Sequence, residues 1–150
     1  LKEVETLIIW TAPPGHAVLQ EALHQSKPKR VIVFGLNPQL DSYKAFMVRL
    51  GGLVKFTLNQ KYGQTTLGNL AGACATKEET IRVGLLLWQA MGKIAVEIEQ
   101  ESVVIRPKHE IVDTSGVEIY RSILTALLEE SKAYRHYFRT EEIESIFNQS

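Results

Sequence analysis

One hundred and fifty residues, 45% of them hydrophobic and 23% charged, suffice for one domain or for a compact module with a small neighbour around a real core. Seventeen Lys+Arg balance seventeen Asp+Glu, which argues against a nucleic-acid binder working by bulk charge and leaves only a local basic stripe open. Cys74 is the single cysteine, so the chain carries no disulfide framework, and a reduced, cytoplasmic setting fits best.

No run approaches the roughly 20 apolar residues of a bilayer span, and no membrane partner is expected. No charged-then-apolar leader of the secretory kind opens the chain. It begins on Leu1 rather than methionine and runs almost directly into a strand, so the expectation is a segment cut from something longer.

Val4 to Thr11, VETLIIWT, reads as a strand, and its Leu7-Ile8-Ile9-Trp10 run suggests burial on both faces. Pro13-Pro14-Gly15 ends it. A helix from about Gly15 to Gln25 follows, with Val18, Leu19, Ala22 and Leu23 inward. After Lys27-Pro28-Lys29-Arg30, the run Val31 to Leu36 is a second apolar strand. Strand, helix and strand make a right-handed βαβ unit over 1–38 with parallel strands. Two strands are too few for a stable sheet, so either strands elsewhere in the chain or a missing part of it are expected to join them. The turn APPGHA has neither G-x-G-x-x-G nor a Walker lysine, and proline removes N–H donors where a phosphate would need them. A strand-ending turn is the better reading, with His16 a solvated or capping residue.

Residues 39–150 form the second region. Asp41 or Ser42 is placed to cap a helix from Tyr43 to about Lys61, whose apolar face holds Phe46, Met47, Leu50, Leu53, Val54 and Leu58. Gly51-Gly52 in its middle costs about 1 kcal/mol per glycine relative to alanine, and a close helix crossing is the usual reason to tolerate that. Its polar rim, with Lys44, Arg49, Lys55, Asn59 and Lys61, is the most basic surface of this part of the chain. Tyr62-Gly63-Gln64 closes it.

A short helix from Thr66 to Ala73 comes next, then a break at Ala75-Thr76-Lys77, with the Thr76 or Thr80 hydroxyl available to cap a further helix. That helix carries Ile81, Leu85, Trp88 and Met91 along one side. Gly92 lies at its end, where a left-handed residue is wanted. Ile94, Val96 and Ile98 then alternate with polar or small residues, and Val103 to Ile105 answers them across Gln100-Glu101-Ser102. Helix–turn–helix followed at once by a β-hairpin is the order of a winged helix-turn-helix, with the long helix as its first. After a polar linker, Val117 to about Tyr134 is amphipathic, with Ile119, Ile123, Leu124, Leu127 and Leu128 inward, and it leads into YRHYFR. The fold class is α/β (α+β): a small βαβ unit, then a winged helix-turn-helix with a C-terminal helix.

Chemistry-bearing clusters are scarce. The chain has two aspartates, Asp41 and Asp113, and four histidines, none at ligand spacing such as H-E-x-x-H or D-H-H. His109-Glu110 near Asp113 is the closest approximation, and it falls in the polar linker. No G-x-S-x-G elbow marks a nucleophile. No catalytic or metal-binding residue is assigned, and the module is expected to perform no catalysis by itself.

Contact residues are easier to name. Arg82, Leu86, Gln89 and Lys93 would form the outward stripe of the second helix of the helix-turn-helix. Glu78 and Glu79 at its leading turn would repel DNA, and Val83, Leu86 and Leu87 make it apolar nearly all round. It is therefore expected to pack under another element rather than enter a groove. YRHYFR has the composition of a base-stacking platform, but Tyr134, Tyr137 and Phe138 at i, i+3, i+4 favour pinning the last helix to the core, with Arg135 and Arg139 left at the surface. The candidate nucleic-acid or partner contacts are Arg82, Gln89, Lys93, Arg135, Arg139 and Lys55.

The runs LIIWTAPPG, KPKRVIVFGLNPQLDSYKAFMVRLGGLVKF, TTLGNLAGACATKEETIRVGLLLWQAMGKI and LLEESKAYRHYFR, covering nearly the whole chain, resemble the C-terminal accessory domain of RecJ-type single-strand-specific exonucleases, particularly cyanobacterial-looking ones. The resemblance implies a parent enzyme that degrades single-stranded DNA from the 5′ end in recombination and repair. That family's core carries a D-H-H motif and further aspartates binding manganese or magnesium. None of those positions occurs here, so no catalytic residue carries over. The implied partners are single-stranded DNA, the single-stranded DNA-binding protein, and the parent's own catalytic core. A stand-alone winged-helix regulator and a purely structural domain are the rival readings.

Overall fold

The computed structural model describes residues 3–108 and 114–148. In order these form β1 (Thr6–Thr11), α1 (His16–Ser26), β2 (Arg30–Leu36), α2 (Tyr43–Gln60), β3 (Gln64–Thr66) and α3 (Leu67–Cys74), then α4 (Glu78–Ala90), β4 (Ile94–Glu99), β5 (Ser102–Pro107), α5 (Val117–Thr140) and α6 (Ile143–Phe147). The fold is mixed α/β. The chain divides into two compact units, one of Leu1–Gln39 with Glu130–Ser150, the other of Leu40–Glu129. The end of the chain, expected with the second region, therefore clusters with the βαβ segment.

In the first unit β1 and β2 pair in parallel, Thr6 opposite Arg30 through Ile9 opposite Val33, with an irregularity before Thr11 meets Leu36. No third strand joins them among the described residues. Ala12, Leu19, Phe138 and Ile146 form the buried cluster, with Ile9, Val33, Tyr134 and Tyr137 packed on it. The aromatic side chains of YRHYFR thus pin the helix. Burial of β1 on both faces does not hold, because Ile8 is 56% and Trp10 59% exposed. An unbroken apolar run carries no information on which face is covered. The same ambiguity affects α1, where Leu19 is buried but Val18 and Ala22 face outward.

In the second unit Ser42 caps α2, its hydroxyl accepting from the Ala45 N–H at 3.2 Å. The order of its sheet is β3-β5-β4, all antiparallel, with Ile94 opposite Pro107 and Glu99 opposite Ser102 in the hairpin. β3 departs from expectation: Gln64, expected to close the long helix, instead opens three residues that pair with β5, Gln64 itself opposite Val104. Thr66 caps α3 by accepting from the Asn69 N–H at 3.1 Å. The break after α3 is made by Ala75 in the left-handed region, φ 49°. Neither Thr76 nor Thr80 caps α4, whose N-cap residue is Lys77 and which has no side-chain capping bond at its start; both threonine hydroxyls are buried without a partner among the described residues. Gly92 does take the left-handed conformation, φ 76°.

The core of this unit is built from Phe46 and Leu50 of α2, Leu67 of α3, Ile81, Leu85 and Leu87 of α4, Val103 and Ile105 of β5, and Leu124 and Leu128 of α5. The close crossing of α2 and α4 centres on Gly84, where an added Cβ would meet Leu50 Cδ2 at 2.7 Å and Phe46 Cε1 at 2.9 Å. Gly51 also faces α4, its would-be Cβ lying 3.2 Å from Trp88 Cζ2, whereas Gly52 has nothing within 4 Å. Of the expected glycine pair, then, one member serves the crossing. α5 continues beyond Tyr134 to Thr140. Ile119 and Ile123, expected inward on it, are 63% and 42% exposed, because Tyr120 and Leu124 take the core-facing positions. None of the helices of the described residues is long and apolar enough to cross a membrane.

Candidate functional site

The six contact candidates separate once side chains are placed. Arg135 is 2% exposed, and its Nη1 donates to the carbonyl of Ala12 at 3.0 Å. The expectation that it lies available at the surface is corrected: the turn after β1 leaves a carbonyl buried, and a guanidinium is the group with reach and donors enough to satisfy it. Gln89 is occupied as well, its Oε1 accepting from the Val96 N–H at 2.8 Å and tying α4 to the start of β4. Arg82, Lys93, Arg139 and Lys55 are exposed. α4 itself is buried at Ile81, Val83, Gly84, Leu85, Leu87 and Ala90, so it packs under its neighbours as its composition implied.

Two surfaces emerge from this placement. The first is the outer face of β1 and β2. Pairing of Ile8 with Ile32 sets Trp10 beside Phe34, their ring centroids 4.8 Å apart at 49°, with 59% and 55% of the two residues exposed. Arg30 lies on the same face by the two-residue period of the strand. Around the end of β2, Phe34, Leu36, Arg139 and Ile143 line a shallow pocket of about 320 Å³. The sequence contained the signal, two aromatics at alternate positions of facing strands. The Leu7–Trp10 run, expected to be covered on both sides, leaves Trp10 in water.

The second surface lies within the other unit, where α2 and α4 meet. Tyr43, Lys44, Val48, Gly51 and Trp88 line a depression of about 340 Å³. Gly51 and Trp88 continue into one of about 200 Å³ with Lys55, Leu58, Lys93 and Ile94. The structure thus brings Lys55 and Lys93 together. It leaves Arg82 outside that lining.

The perturbed titratable groups serve structure. Burial pushes the Cys74 thiol up to about 11, the nearby Arg49 guanidinium acting in the opposite sense. Arg49 itself donates to the Ala73 carbonyl at 3.1 Å. A thiol held neutral is a poor nucleophile and a poor metal ligand. The Tyr134 phenol is raised by burial first and by Tyr137 second, and the His16 ring sits edge-on to it at 6.5 Å. No group of three His, Cys, Asp or Glu that could hold a metal ion occurs among the described residues. His109, Glu110 and Asp113 lie outside them. What the described residues offer is contact area: an aromatic sheet face and a lysine-edged apolar groove.

Comparison with protein-family models, with curated proteins and with solved structures finds no match to this chain.

Proposed function

We propose that this chain is a non-catalytic accessory domain of a RecJ-like 5′–3′ single-stranded-DNA exonuclease acting in recombination and repair, and that its work is contact. Its contacts are single-stranded DNA, the single-stranded DNA-binding protein, or the parent's own catalytic core, and the manganese or magnesium chemistry belongs to that core. The parentage rests on the resemblance of the four sequence runs. The order of residues 40–129 supports reading them as a winged helix-turn-helix: helix, short strand, two helices and a hairpin whose second strand pairs with the short one. In this reading α4 is a packing helix rather than a groove reader, since most of its surface is covered.

The observation that carries the contact role is the Trp10–Phe34 pair, half exposed on a sheet face. Large aromatic rings left in water on a flat strand surface are what single-stranded bases stack on, each stacked base contributing roughly 1–3 kcal/mol. Arg30 and Arg139 border that face and supply cations for the backbone.

The test is a fluorescence titration of the chain with oligo-dT and with a duplex at several salt concentrations, repeated for Trp10→Ala and Phe34→Ala. Single-strand binding that weakens with salt and falls about tenfold in either variant is the expected outcome. Tight, sequence-selective duplex binding would instead favour a stand-alone winged-helix regulator, for which exposed Arg82 and Lys93 are the available contacts. Failure to bind DNA or the single-stranded DNA-binding protein would favour a purely structural domain.

A further inference from the structure

The pocket at the end of β2 opens where the strand pair is irregular. Between the Ile9–Val33 and Thr11–Leu36 partners, β1 supplies Trp10 alone while β2 supplies Phe34 and Gly35. Gly35 takes the left-handed conformation, φ 62°, as the extra residue of a bulge can. Bulges recur beside binding sites because they re-aim a neighbouring side chain. Phe34 belongs to both surfaces: its ring lies 4.8 Å from that of Trp10, and it also lines the pocket. The pocket carries two charges of opposite sign, Arg139 and Glu141. Arg139 is in the last turn of α5, and Glu141 follows that helix, its backbone N–H donating to the Tyr137 carbonyl at 2.9 Å. Both are exposed. Neither side chain makes an ion pair or hydrogen bond, with the other or elsewhere, among the described residues.

Volume and charge narrow the occupant. At about 320 Å³ the space is at the small end of ligand pockets, which begin near about 300 Å³, and suits one planar group. That group must lie against the Phe34 ring, bring an anion to Arg139 and offer N–H donors to Glu141, since a carboxylate accepts and does not donate. A carboxylate beside a phosphate chain repels it unless it meets such donors. A nucleotide within a single strand supplies all three, because its Watson–Crick edge is free. Among the bases, guanine alone sets two donors side by side, N1–H and the 2-amino group, to match both carboxylate oxygens. Adenine and cytosine place a ring-nitrogen acceptor beside their amino group, and thymine flanks its single N–H with two carbonyls. Each of these turns a lone pair on Glu141. We propose that the pocket takes a guanine base of a single strand running off the Trp10–Phe34 pair, Glu141 accepting from its edge and Arg139 holding phosphate. The inference rests on the single-strand reading above and adds a base preference to it.

The test is fluorescence anisotropy of the whole chain with labelled oligo-dT probes, at one salt concentration. The probes carry one central deoxyguanosine, deoxyinosine, deoxyadenosine or deoxycytidine, or no substitution. The guanine probe is expected to bind about tenfold more tightly than the all-thymine one. Inosine keeps N1–H but lacks the 2-amino group, and should lose most of that gain. Glu141→Gln exchanges one acceptor for an amide donor, a pattern that fits adenine's amino group and ring nitrogen. It also removes a charge that repels every strand, so the readout is the ratio among probes. In this variant, its fold checked by circular dichroism, the guanine preference should vanish and adenine should bind most tightly. Arg139→Ala should weaken all probes alike and lessen the salt dependence. Equal binding of all probes to the unmodified chain would overturn the pocket and leave the stacking face standing. So would a guanine preference that survives Glu141→Gln. Failure of every probe to bind would overturn the single-strand reading and the pocket with it.

Discussion

Arg135 shows how little a residue's type says about its task. In a segment rich in aromatic and basic residues it looks like a contact for phosphate, yet it is buried and donates to the Ala12 carbonyl. Removing it leaves that acceptor unpaired inside the first unit, so Arg135→Ala is expected to cost about 3 kcal/mol in urea denaturation. Exposed Arg139→Ala should stay within about 0.5 kcal/mol. Equal stabilities for the two variants would show that the buried guanidinium contributes no net support. Cys74 gives a second prediction at this scale. Its thiol, pushed up to about 11 by burial, stays protonated in the folded chain where the unfolded chain would release the proton. That preference is fully present below the thiol's ordinary range and is lost as pH rises through about 11. Stability measured across alkaline pH should therefore fall more steeply in the parent chain than in Cys74→Ala, and thiol reagents should label the native protein far more slowly than the unfolded one.

At the scale of elements, the glycines of α2 and α4 separate packing from propensity. Gly84 sits where the helices cross, and an alanine methyl there would collide with Leu50 and Phe46. Gly84→Ala is expected to lose about 1–3 kcal/mol by overpacking. Gly52 is exposed in a helix interior with open space around it, so Gly52→Ala should gain about 0.5–1 kcal/mol through helix propensity and a stiffer unfolded chain. Thermal melts of the two single variants check both signs. A need for a close crossing was readable from the glycine pair in α2. Its location was not, because the decisive glycine lies on the other helix and becomes visible only when Leu50 and Phe46 are set opposite it. The break at Ala75, the hairpin and the end of α4 at Gly92 were legible, since each depends on neighbours a few residues away.

For the molecule as a whole, the two units have unequal cores. Among the described residues, eighteen buried hydrophobic side chains form the cluster of the second unit and four that of the first. A two-stranded parallel sheet over so small a cluster should open more readily than the helices of the larger one. Hydrogen exchange of the whole chain is expected to show β1 and β2 amides exchanging well before those of α4 and β5. Indistinguishable protection would mean that the chain opens as one cooperative body.

Local order was already determined by the amino-acid sequence alone: the βαβ segment, the helix pair with its turn, and the hairpin, each encoded in spacings that the backbone reads within a turn or two. The same short range explains the placement of most core leucines and isoleucines on α2 and α4. Only the tertiary structure decided which side of the Leu7–Trp10 run is covered, that three residues after α2 form a strand, and that Arg135 is interior while Lys55 and Lys93 share a groove. Exposure is set by segments that arrive from far along the chain, and no local pattern carries that information.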